Sequence, residues 1–432
     1  MSHIVIDLGE VPDHRATPAE TPAPRPPVPW RVLLGALAVV LVALLGGAAA
    51  RHRPEAPVVI PARLGDTTYL SGNRLFLVGT GGVESSTPQA RTISTYRLPA
   101  ARLVSRTTVS IAGAVVGVEQ VGDILVVGYQ IDASGSQEVV AQRAGATSGA
   151  LWQRPARLIG VSGNGGVVLV SEEDGDVAID ARTGEERWRV ARPVDGFIAE
   201  TDSGNGYPEW LIVLTGTGAL ETWDAHTGRP IASTTATVGV DRINGLIWPV
   251  SNLLLVAAGH GYDGYRLPGL HRLWRTTADL SQSWLQSDCG TVICTFHQQR
   301  GMTVLDPGTG RRLWDSDRWG YAEPLGPYLL ATSGQVDGGA DLPSLTVLDP
   351  ATGRVLGDFG AWQGLGLAPH GLIYGKRDVP GKYQVYYGLL DPANRSIEPL
   401  GRADRVSGGC EVGGGVMTCR LIDASVAVWR LR

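Results

Sequence analysis

Lysine is almost missing from this chain: Lys376 and Lys382 stand against 35 arginines in 432 residues. With Ala, Gly and Val abundant, that imbalance reflects a high-GC coding sequence rather than chemistry. No run of Lys or Arg forms a stripe, and the net charge is −5. The electrostatic footprint of a nucleic-acid-binding protein is therefore absent. Charged residues make up only 18% of the chain against 58 glycines, a balance of many turns and few surface helices. Catalytic motifs are missing too. The eight histidines show no H-x-x-x-H or H-E-x-x-H spacing for zinc, and no G-x-S-x-G elbow occurs. The run GGCEVGGG at 408–415 lacks the Lys and the following helix of a phosphate loop.

The first 31 residues hold seven prolines, four acids and three arginines, too little apolar surface to fold alone. A charge-free run, VLLGALAVVLVALLGGAAA, follows at 32–50. As a helix rising about 1.5 Å per residue it spans roughly 28 Å, the thickness of a bilayer core. Ala48–Ala50 resemble a signal-peptide cleavage site, but the segment before the run is long and acidic, whereas a signal n-region is short and basic. The expectation is a retained transmembrane helix at 32–50 between a cytoplasmic tail (1–31) and a short linker (51–57). Arg15, Arg25 and Arg31 on one side match Arg51, Arg53 and Arg63 on the other, so flanking charge does not orient the span.

What is present in quantity is repetition. Apolar runs such as LFLVG (75–79), ILVVG (124–128), VVLVS (167–171) and LIVLT (211–215) recur nine times, 36 to 49 residues apart. Each precedes a turn-rich stretch and another strand. Helical periodicity is absent after residue 57, so the pattern reads as one all-β repetitive domain. A unit of this length with four strands is the size of a propeller blade. Nine units are expected, with eight as the fallback because larger rings are rare. The last unit stops after its third strand, and the segment 58–63 has no unit of its own. Pairing the two closes the ring and removes a sheet edge.

Between the third and fourth strands a phrase repeats: IDARTGEERWR (179–189), WDAHTGRPIAS (223–233), LDPGTGRRLWD (305–315), LDPATGRVLGD (348–358) and the degraded LDPANRSIEPL (390–400). Asp180, Asp224, Asp306, Asp349 and Asp391 are placed to accept a backbone N–H two residues on. Gly184, Gly228, Gly310 and Gly353 supply a positive φ. Trp152, Trp188, Trp274 and Trp314 are expected to cover the seams between neighbouring blades. These are read as structural turns, because active sites are not built once per blade.

The pattern strand–D-A/P-x-T-G-x-x-x-W resembles the repeat of pyrroloquinoline-quinone-like, or quinoprotein-type, β-propellers. That family includes quinoprotein dehydrogenases and non-enzymatic relatives such as the propeller subunit of the outer-membrane β-barrel assembly machinery. The resemblance implies a membrane-anchored bacterial member with the propeller over 58–432. A quinoprotein enzyme would also carry a disulfide between adjacent cysteines, a calcium ion and an Asp base. This chain has no Cys-Cys pair, so its motifs support neither quinone nor calcium as a cofactor. EEDGD (172–176) and the Asp of HGYDGYR (260–266) are read as solvated hairpin turns.

Cys289 and Cys294 flank one reversal, and Cys410 and Cys419 another, in units that are not neighbours. Local disulfides need the least movement; the alternatives are four free buried thiols or a metal site, though the two pairs lie too far apart on the ring to share one ion. Disulfides imply an oxidising compartment, which would put the N-terminus inside and the propeller outside. The resulting expectation is a non-enzymatic binding or scaffold module of the cell envelope, engaging a protein or envelope component. The alternative is a quinoprotein-type enzyme or a quinone or sugar sensor using the central channel.

Overall fold

A computed structural model describes residues 56–431, apart from 81–87, 133, 164–165, 202–205, 238–246, 277, 279, 281–282, 286–288, 298–299 and 334–343. The expected transmembrane segment at 32–50 lies outside the described residues.

Nine four-stranded antiparallel sheets succeed one another along the chain. Blade I spans 67–111, II 114–154, III 157–191, IV 197–235, V 247–275, VI 283–316, VII 319–358 and VIII 363–404. Blade IX takes three strands from 406–430 and its fourth from Val58–Ile60. The protein is a nine-bladed β-propeller. In blades I–VIII the strands pair in sequence order, while Val58–Ile60 is added outside the last three strands in blade IX. The first strands of blades I and II, II and III, IV and V, and VIII and IX lie beside one another. The first strands therefore line the axis and the fourth strands form the rim.

The second strands are the apolar runs of the sequence, and they are buried on both faces. Leu125, Val126, Val127 and Tyr129 in blade II are at most 1% exposed. Continuous apolar runs suit strands covered on both sides. Buried side chains gather into clusters that each bridge two adjacent blades. Phe76, Ile93 and Ile111 of blade I meet Leu125, Val127 and Tyr129 of blade II. Ile60 and Val428 of blade IX meet Leu75 and Leu98 of blade I in the same way. The core is thus a ring of seams with no single centre.

Ring closure rests on a short ladder. Val58, Val59 and Ile60 pair antiparallel with Val428, Ala427 and Val426. The strand covers only the first half of the segment 58–63, because Pro61 follows and has no N–H to donate. Ile60 is buried while Val58 and Val59 stay exposed.

Candidate binding site at the closing seam

The repeated turns explain how blades are joined, and so which surfaces are left for binding. In each D-x-x-T-G turn, and in its degraded copy at Asp391, the Asp carboxylate accepts backbone N–H groups. Asp180 receives Arg182 and Thr183 at 2.9 and 3.1 Å, and Asp224 receives His226 and Thr227 at 2.8 Å each. Asp349 and Asp391 do the same, whereas Asp306 receives Thr309. The Arg187 guanidinium, with those amides, holds the Asp180 carboxyl down to about 2. Asn394 and the turn amides lower Asp391 likewise.

The tryptophans reach further than their own blade. The Trp152 indole N–H in the outer strand of blade II donates to the Ala181 carbonyl in the turn of blade III at 2.8 Å. Trp274 donates to Pro307 of the next blade, and Trp314 to Pro350, both at 2.8 Å. Each ring lies on the glycine of the turn it touches. A Cβ at Gly184, Gly228, Gly310 or Gly353 would fall 2.6, 2.4, 2.3 or 2.7 Å from Trp152, Trp188, Trp274 or Trp314. These residues are brought together in pairs across seams.

Both disulfides are formed: Cys289–Cys294 with Cα atoms 5.8 Å apart, and Cys410–Cys419 at 4.1 Å. The first lies in the core between blades VI and VII. The second joins the first two strands of the closing blade.

The hairpin turns expected in the two acidic stretches are present, but the reading needs correction at one aspartate in each. The hairpin turn of EEDGD is Glu173–Asp174, so Asp176 falls inside the strand Gly175–Asp180 and is 0% exposed. In HGYDGYR the turn is Gly259–His260, so Asp263 also lies inside its strand, at 1% exposure. Neither is solvated. Arg275 on the adjacent strand clamps Asp263 with two bonds of 2.6 and 2.7 Å.

A cavity of about 300 Å³ opens where the ring closes, between blades IX and I. Thr67, Tyr69, Glu411, Thr418, Cys419 and Arg420 contribute to its wall. Its polar groups divide into spoken-for and available. Arg420 donates to the Ala424 carbonyl at 2.7 Å and to the backbone oxygen of Asp66. The Asp66 carboxylate receives the N–H groups of Arg63 and Thr80 at 2.7 and 2.9 Å. Tyr69 donates to the Val115 carbonyl of blade II at 2.7 Å. Glu411 is exposed, and its carboxylate is the charged group left to meet a hydroxylated or amino-bearing ligand. Nearby, Ser71 of blade I donates to Glu119 of blade II at 2.6 Å, and burial raises the Glu119 carboxyl above its usual range against that bond. Among the described residues no three His, Cys, Asp or Glu side chains converge as a metal site would require.

No protein-family model matches the chain, and no curated protein matches its sequence. Solved structures overlap it loosely. BamB from Moraxella catarrhalis is similar over 73% of this chain and 96% of its own, at 14% identity and a TM-score of 0.39. The C-terminal WD40 domain of Sif2 overlaps 88% of this chain and 98% of its own, at 10% identity and 0.42. The dihydro-heme d1 dehydrogenase NirN in complex with DHE covers 85% of each, at 15% and 0.44. Likenesses this loose bear on neither ligand nor activity.

Proposed function

We propose that this chain is a single-pass membrane protein whose quinoprotein-type propeller stands outside the cytoplasm as a non-enzymatic binding or scaffold module for a protein or envelope component. The observation that carries the reading is the pair of disulfides in two separate blades, since such bonds persist in oxidising compartments. The charge-free run at 32–50 supplies an anchor of bilayer length. Fold alone does not decide function; what adds to it is an open cavity at the closing seam with Glu411 in its wall. A cysteine-labelling experiment on intact cells tests the location. The expected result is no free thiol until a reductant is added, together with a mature N-terminus upstream of residue 32. Four freely alkylated cysteines would return the propeller to the cytoplasm, and an N-terminus near Arg51 would make the protein secreted.

A second reading follows from the cavity of about 300 Å³, a volume suited to a small molecule. There the protein would sense a hydroxylated ligand such as a sugar. Isothermal titration of simple sugars against wild type and Glu411→Gln separates the two. Binding that is lost in the variant favours the sensor, and no binding leaves the scaffold.

A further inference from the structure

Blade III contains a carboxylate whose setting differs from every other buried acid of the ring described above. Asp176 is 0% exposed, and neither of its oxygens receives a hydrogen bond. It sits opposite Ser171 and Val190 in its sheet, on the face shared by Leu169 and Ala178. That face packs against Ile198, Leu211 and Val213 of blade IV. The nearest cation is Arg192, whose Nη2 lies 3.7 Å from Asp176 Oδ1. That nitrogen is already committed, donating to Ser171 Oγ at 3.0 Å and to the Glu172 carbonyl at 3.5 Å. Arg157, from the first strand of blade III, is paired across the seam with Glu200 of blade IV. Ser171 and Arg192 are the polar groups beside Asp176, and the charges of Arg157 and Glu200 act on it from the seam. Glu172 joins Arg154 and Arg189 in a separate network.

We propose that the seam between blades III and IV is a proton-operated joint, in which Asp176 is the group that takes up the proton and thereby tightens blade III against blade IV. An ionised carboxylate buried with only the Ser171 hydroxyl across the strand pair and a guanidinium at 3.7 Å to offset its charge is costly, and neutralising it removes most of that cost. The protonated form also gains an O–H able to bond across the strand pair to Ser171. Burial raises the Asp176 carboxyl to about 6; Ser171 and the two arginines pull it down and Glu200 pushes it up. The folded value lies above the unfolded one. The stabilisation is thus complete below the ordinary carboxylate range and is lost as pH rises through about 6. Asp263, burdened by the same burial but clamped by Arg275, has no such vacancy among its bonds. The joint is independent of what the propeller binds.

The test is thermal unfolding of the full chain in detergent, for wild type and Asp176→Asn, at about pH 7.5 and about pH 5. The wild type is expected to gain roughly 2–4 °C more than the variant on acidification. Equal gains, or a larger gain in the variant, overturn the proposal. Hydrogen exchange supplies a local readout. After correction for intrinsic rates, amides of Gly175–Asp180 and Phe197–Glu200 should slow on acidification in wild type only. If Asp176→Asn does not fold, Arg192→Gln and Glu200→Gln replace it. The first should move the wild-type transition to higher pH and the second to lower pH. A transition that ignores both refutes the joint.

Discussion

Two kinds of seam hold this ring together, and they use the same turn differently. Into blades III, IV, VI and VII, a tryptophan from the preceding blade lies on a turn glycine. Into blades I, V and VIII, the matching position carries Ala101, Leu270 or Arg395 at φ of 49°, 53° and 52°. In blade V the closing bond of the turn is kept even though Leu267–Pro268 is cis: the N–H of Leu270 bonds the Arg266 carbonyl at 2.8 Å, as Gly310 bonds Asp306 at 2.8 Å. The outer strands that precede these three blades are Val58–Ile60, Pro230–Thr235 and Val355–Asp358, and none contains a tryptophan. Where no indole arrives, a side chain is tolerated at positive φ. Glycine is imposed by the neighbouring blade more than by the turn's own backbone. At the seam into blade V, Leu270 is 4% exposed and packs with Ala232, filling space that an indole takes elsewhere.

The largest test of that difference is a double-mutant cycle at the seam into blade VI. Trp274→Ala removes a ring that is 8% exposed together with its bond to Pro307. A loss of about 3–5 kcal/mol in urea unfolding is expected. Gly310→Ala alone should cost roughly 2–3 kcal/mol, because its Cβ collides with the ring as well as sitting at positive φ. In the Trp274→Ala background its cost should shrink to about 1 kcal/mol, the ordinary left-handed penalty. Equal costs in both backgrounds would return the glycine to a purely local role.

Next in size is the closing blade, which has no tryptophan staple and only a three-residue outer strand. Its reinforcement is Cys410–Cys419. Replacing both cysteines with serine should cost about 2–3 kcal/mol, and proteolysis should then begin around residues 56–63 before any other blade opens. First cuts elsewhere would show that closure does not depend on this bond.

The sequence displays its strands and turns better than its partners. Each apolar run such as Leu125–Tyr129 announces a doubly buried strand, and each Asp-x-x-Thr-Gly announces a turn, because the cause lies within a few residues. The Trp152 indole meets Ala181 29 positions away, so its target is invisible when units are read one at a time. Asp176 and Asp263 were expected in solvent because Asp and Gly favour turns. The real turns end two residues before Asp176 and three before Asp263, which places both in strands, and the cross-strand Arg275 distinguishes their fates. The cavity was illegible, since residues near 67 and near 418 meet only once the ring closes.

A smaller effect is expected at the turn carboxylates. Asp349→Ala should cost about 1 kcal/mol, comparable to losing a helix cap, since it leaves the Ala351 and Thr352 amides without their acceptor. Asp180 adds a pH signature opposite in sign to that of Asp176. Its folded value is depressed to about 2, so its contribution is present above the ordinary carboxylate range and fades as pH falls through about 2. Acid titration of wild type against Asp180→Asn, followed by tryptophan fluorescence, should show the difference closing at the acid end.

The smallest effect is the most discriminating, because it asks what glycine is worth where no indole leans on it. Arg395→Gly relieves a side chain at φ 52° in the turn of blade VIII, a gain of about 1 kcal/mol if backbone strain were the whole matter. Against that gain stand two losses. The Arg395 Nε–H bond to the Leu356 carbonyl of blade VII, 2.9 Å and exposed, disappears, at about 0.5 kcal/mol. Glycine also enlarges the unfolded ensemble by roughly 0.4–1 kcal/mol. The three nearly cancel, so urea midpoints of Arg395→Gly and wild type should coincide within about 0.5 kcal/mol. Gly310→Ala, the reverse exchange at the same turn position beneath an indole, should stay several-fold larger. A clear stabilisation by Arg395→Gly would mean that the left-handed backbone governs this position in every blade, and that the tryptophans merely occupy the space glycine leaves.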